Sequence, residues 1–104
     1  MPRALLVQLP VPSSPALNTP LAAGYLVAYA EAQGLGERWA LELLPRALAD
    51  RAGDAALVEA IVARRPDLLA LSLYTWNSER SLDVALRAKE RLPGLLVVAD
   101  GPEV

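Results

Sequence analysis

Short apolar runs alternate along the chain with longer stretches of helical periodicity, and the two patterns predict strands and helices in strict alternation. Ala4-Leu5-Leu6-Val7-Gln8-Leu9 is a brief apolar run closed by Pro10, the signature of a strand buried on both faces. The loop from Pro10 to Asn18 holds three prolines and two serines. Thr19-Pro20 then supplies a capping residue followed by proline at the first helical position. A first helix is therefore predicted through Leu21, Tyr25, Ala28 and Tyr29, ending near Gln33-Gly34, where glycine provides a left-handed cap. Gly24 inside that helix costs about 1 kcal/mol relative to alanine, which close backbone approach to the sheet or to a ligand would offset.

Trp39 to Leu44 carries Glu42 in mid-run, so this second strand is expected at a sheet edge. After Pro45 and a short Ala/Leu/Arg segment, Gly53-Asp54 opens a second helix with Leu57, Val58, Ile61 and Val62 on one face, stopped before Pro66. Leu68 to Leu73 is the third strand. A third helix is predicted from Asn77-Ser78, burying Leu82, Ala85, Leu86 and Leu92 and ending at Pro93-Gly94. Leu95 to Ala99 is the fourth strand, followed by Asp100-Gly101-Pro102-Glu103-Val104.

Strands joined by single helices at this spacing require right-handed crossovers and hence a parallel sheet. An edge-like second strand favours the order 2-1-3-4, so residues 1–104 are read as one α/β domain with a Rossmann-like (flavodoxin-like) three-layer architecture. Such a sheet continues into another helix and a fifth strand, which predicts a domain truncated before its last helix and strand. The open edge of the fourth strand would pair readily with another chain, giving a homodimer.

Composition narrows the chemistry. The net charge is −2 with no basic run longer than Arg64-Arg65, so there is no electrostatic footprint for nucleic acid. No stretch is long and clean enough to span a bilayer, and no signal peptide is evident, so a cytoplasmic domain is expected. The sequence contains no cysteine and no histidine. Disulfides, Cys/His zinc sites, an iron–sulfur cluster, a thiol nucleophile and a Ser-His-Asp triad are all excluded within these residues.

In an open parallel sheet, ligands sit beyond the carboxyl ends of the strands, at the switch between the first and third. Three segments converge there: the loop from Pro10 to Thr19, Tyr74-Thr75-Trp76-Asn77, and Asp100-Gly101-Pro102-Glu103. A Tyr and a Trp directly after a strand suit the covering of a flat apolar ligand, or else Trp76 packs on its own helix. Asn18, Thr19, Asn77 and Ser78 each have two readings, ligand contact or helix cap. Gly101-Pro102 either leaves room for a ligand or forms a turn. Asp100 reads as a solvated loop carboxylate.

Together, Leu5-Leu6-Val7-Gln8-Leu9-Pro10, the helix opening Asn18-Thr19-Pro20-Leu21-Ala22-Ala23-Gly24-Tyr25-Leu26, the run Arg65-Pro66-Asp67-Leu68-Leu69-Ala70-Leu71-Ser72 and the end Leu96-Val97-Val98-Ala99-Asp100-Gly101-Pro102-Glu103-Val104 resemble the amino-terminal cobalamin-binding domain of radical SAM proteins. The resemblance implies cobalamin held at the carboxyl ends of the strands by Pro10, Asn18, Thr19, Ser72, Tyr74, Thr75, Trp76, Asn77, Gly101, Pro102 and Glu103. It implies a partner too, the radical SAM barrel of the parent methyltransferase-like enzyme. That barrel carries the iron–sulfur cluster and binds S-adenosylmethionine, so these residues alone would catalyse nothing.

Two departures from the family pattern matter. The Asp-x-His-x-x-Gly motif of other cobalamin domains is absent, so no histidine lies under the cobalt; the loop from Pro10 to Asn18, or water, would cover that face. The usual Gly-Gly after the fourth strand is Asp100-Gly101, which crowds the nucleotide tail. Rival α/β readings fit less well. A phosphoryl receiver needs an Asp where Tyr74 stands, a flavodoxin phosphate loop needs backbone donors that three prolines withdraw, and no Gly-x-Gly-x-x-Gly exists for a dinucleotide. The remaining alternative is a ligand-free scaffold that docks onto the catalytic barrel.

Overall fold

The computed structural model describes residues 1–9, 21–45, 48, 49 and 52–100. Strands β1 (Arg3–Val7), β2 (Ala40–Leu43), β3 (Leu68–Ser72) and β4 (Leu96–Asp100) alternate with helices α1 (Leu21–Ala32), α2 (Asp54–Arg64) and α3 (Ser78–Arg91). All neighbouring strands are parallel and the order is β2-β1-β3-β4. The chain is thus an α/β Rossmann-like fold, as the alternation of runs predicts.

Position in the sheet explains each strand's composition. β1 lies between two partners, with Leu5 beside Glu42 of β2 and Leu69 of β3. Ala4, Leu5, Leu6 and Val7 are all buried, which is why the run is unbroken. β2 sits at the edge and tolerates the exposed Glu42, whose carboxylate lies 3.4 Å from Nε of Arg64.

One face of the sheet carries the core. Leu5 and Val7 of β1 and Leu69 and Leu71 of β3 cluster with Leu57, Val58 and Ile61 of α2 and with Val84, Ala85 and Ala88 of α3. Burying each large aliphatic side chain contributes roughly 1.5–3 kcal/mol. Ala4 and Leu6 are buried outside that cluster, on the other face, to which the reversed crossover from β1 to β2 directs α1. β4 alternates: Val97 and Ala99 pack against the core, whereas Leu96 and Val98 are exposed.

The helix ends follow their local chemistry. Gly34 takes the left-handed conformation after α1 (φ 82°), as expected of a glycine cap. Arg65 does the same after α2 (φ 47°), with its N–H donating to the Val62 carbonyl at 3.1 Å. This is a conformation that costs a side-chain-bearing residue more than glycine.

α3 corrects an expectation. Ala85 is buried and Leu92 packs against the core, but Leu82 and Leu86 are 43% and 63% exposed. The buried face is instead Ser81, Val84, Ala85 and Ala88. α3 packs against α2 as well as the sheet, and small residues at i, i+4 and i+7 allow the close axial approach that leucines would prevent. Hydrophobicity alone therefore placed Ala85 and Leu92 correctly but put Leu82 and Leu86 on the buried face in place of Ser81, Val84 and Ala88.

Candidate functional site

Parallel strands end together, so the carboxyl ends of β1, β3 and β4 form one rim. Ser72 is in register with Asp100, and the Leu73 N–H donates to the Asp100 carbonyl at 2.7 Å, carrying the ladder one residue past β3. Leu9, just beyond β1, is buried. The loop after β3 then turns over the rim: N–H groups of Asn77 and Ser78 both donate to the Tyr74 carbonyl, at 3.1 and 3.0 Å.

Tyr74 and Trp76 stack within this loop, with ring centroids 4.8 Å apart and planes 1° from parallel. That is an offset stack, the arrangement favoured by the ring quadrupoles. Trp76 is 47% exposed, so it presents ring surface to solvent at the rim. Thr75 is exposed beside it and Ser72 is half-buried.

Asn77 behaves differently. It is 2% exposed, and its side chain makes no capping bond to α3 although it occupies the cap position. The amide turns back instead. Its Oδ1 accepts the Tyr74 N–H at 2.8 Å, and its Nδ2 donates to the Leu9 carbonyl at 3.0 Å and to the Ser72 carbonyl at 3.2 Å. Ser78, read as an alternative cap, is the first residue of the helix itself.

Of the residues singled out by sequence, Ser72, Tyr74, Thr75, Trp76 and Asn77 thus come together on the rim. Pro10, Asn18, Thr19, Gly101, Pro102 and Glu103 lie outside the described residues. The carbonyl of Leu9 was missed. Its role comes from a bond 68 residues away in sequence, for which no local spacing provides a signal.

A perturbed ion pair lies away from the rim. Arg91 holds the Glu59 carboxyl below the usual carboxylate range, first by a hydrogen bond and second by charge attraction, on the outer surface of α2 and α3. Among the described residues no group of three or more His, Cys, Asp or Glu side chains is placed to hold a metal ion. No described helix is long and apolar enough to cross a membrane.

The parallel sheet of order β2-β1-β3-β4 defines a Rossmann-like domain, with the Tyr74–Trp76 stack on its carboxyl rim beside the switch between β1 and β3. No protein-family profile matches the chain. Over 39 residues, 38% of its length, it is 62% identical to the 2-(S-pantetheinyl)-carbapenam-3-carboxylate methyltransferase of Streptantibioticus cattleyicolor. Over a stretch of the same size it is 59% identical to the cobalamin-dependent radical SAM methyltransferase TokK of Streptomyces tokunonensis. Each match spans 6% of the relative's length.

Proposed function

We propose that this chain is a cobalamin-binding domain of a methyltransferase-like radical SAM enzyme, holding the cofactor on the carboxyl rim of its sheet with no histidine ligand of its own. The stacked Tyr74–Trp76 pair carries this reading: a half-exposed aromatic surface stands at the switch point, where a parallel sheet binds ligands. The similarity to a relative named as cobalamin-dependent supports it.

The residues present suit the group. A corrin is a broad, largely apolar ring with an amide fringe; the face of Trp76 would meet the ring and Thr75 the fringe. Bound cobalamin supplies methyl-group transfer chemistry. The domain's own part is to bind and orient it, while the iron–sulfur cluster and S-adenosylmethionine belong to a catalytic barrel outside these residues. That barrel would be the domain's physiological partner.

Titration of the purified protein with hydroxocobalamin, followed by visible absorbance and calorimetry, tests the proposal. Saturable one-to-one binding is expected, weakened about tenfold or more by Trp76→Ala, the cost of an exposed-to-buried aromatic contact of ~1.4 kcal/mol. No binding at high micromolar ligand would sink the reading in favour of a ligand-free scaffold.

A further inference from the structure

We infer that Asn77 is a positioning residue that locks the exits of β1 and β3 to each other, and so sets the geometry in which the Tyr74–Trp76 surface meets its ligand. The inference rests on the cobalamin reading for the ligand's identity, but the lock itself is a property of the chain.

The side chain is buried and all three of its described bonds end on backbone. One goes to the exit of β1, through the Leu9 carbonyl, and one to the exit of β3, through the Ser72 carbonyl. The third holds the N–H of Tyr74, the first residue of the aromatic loop. Main-chain bonds from Asn77 N–H to Tyr74 and from Ser81 N–H to the Asn77 carbonyl, at 2.8 Å, anchor it to α3 as well. A carboxamide can donate twice and accept at the same time; a carboxylate cannot donate at all.

The location makes these bonds consequential. Strand ends leave the ladder, and a carbonyl left buried there without a donor costs stability. Leu9 stands just past the end of β1, and Ser72 leads into the loop that carries Trp76. Asn77 is thus the tie between the two sides of the switch point. With its amide consumed by the protein, it acts on the ligand through Tyr74 and Trp76.

Asn77→Asp is the diagnostic substitution, because it preserves shape and the acceptor while removing both donors. Ionised, its carboxylate would face the Leu9 and Ser72 carbonyls in a buried site, which pushes its pKa up; protonated, it regains one donor. Among the described residues, the titratable groups on the loop, the first turn of α3, the end of β4 and the start of α2 are Tyr74, Glu79, Arg80, Asp100 and Asp54, the last paired with Arg80, so every measurement is referred to the wild-type protein at the same pH.

Two readouts are needed, both in a Trp39→Phe background that leaves Trp76 as the sole indole. They are the near-ultraviolet circular dichroism of the Tyr74–Trp76 stack, without ligand, and hydroxocobalamin affinity. At pH 8 Asn77→Asp should lose the stacked-pair signal and bind about tenfold more weakly, ~1.4 kcal/mol, with both effects partly reversed at pH 5. Ile61→Ala, a core deletion on α2, should lower global stability yet keep both readouts.

If Asn77→Asp kept the signal and the affinity at pH 8, or showed the wild-type pH profile, the lock would be refuted. Asn77→Ser, which keeps one hydroxyl for the Tyr74 N–H, replaces it if the Asp variant does not fold, and the same loss of signal is expected. Failure of the wild-type protein to bind cobalamin would refute the ligand assignment alone, since the ligand-free signal still judges Asn77.

Discussion

The carboxylate of Asp67 accepts the backbone N–H of Arg3 at 2.8 Å, and the N–H of Asp67 donates to the Arg3 carbonyl at the same distance. This reciprocal pair closes the amino end of the β1–β3 ladder. The Asp67 carbonyl then takes the N–H of Leu96 at 3.0 Å, so one residue sets the start of three strands. The Arg-Pro-Asp run noticed in the sequence therefore has a structural role at the end of the sheet opposite the rim.

Asp67→Ala should lower unfolding free energy by about 1 kcal/mol, the scale of a charge-assisted hydrogen bond reduced by solvent exposure. Asp67→Asn, which keeps an acceptor oxygen, should lose less. Urea unfolding checks both, and neither variant should alter the near-ultraviolet signal of the Tyr74–Trp76 stack at the far end.

The stripe of α3 that faces the core gives a second test. Ala88 is fully buried, so Ala88→Leu should overpack the contact between α3 and its neighbours and cost about 1–3 kcal/mol. Leu86→Ala, at a largely exposed position, should change stability by no more than about 0.5 kcal/mol. The same contrast holds across the sheet: Leu69→Ala should cost about 2–5 kcal/mol and Leu96→Ala far less. Equal losses at Leu86 and Ala88 in thermal or urea melts would contradict the observed helix phase.

Acid should weaken one surface tie. Because Arg91 depresses the pKa of Glu59 in the folded protein, the pair's stabilisation is present above the unfolded carboxyl value of about 4.3 and fades as pH falls through the lower folded value. Both side chains are solvated, so the effect is small and salt-sensitive. The urea midpoint of the wild-type protein should fall slightly more than that of Glu59→Gln between about pH 5 and pH 3. At ~1 M salt, where screening is nearly complete, the two should converge.

The alternation of strands and helices, the parallel sheet and the edge place of β2 were determined by the sequence itself. Those features depend on local signals: an unbroken run in β1, Glu42 within β2, glycine and proline at element ends, and a crossover hand common to all L-polypeptides. The convergence of Ser72, Tyr74, Trp76 and Asn77 on one rim followed from the same topology. Tertiary structure decided which stripe of α3 faces inward, because close packing against two neighbours rewards Ser81, Ala85 and Ala88 over larger leucines. It also decided where the Asn77 amide points. A side chain at the head of a helix finds donors and acceptors on either side, and only the folded chain brings the Leu9 carbonyl within its reach.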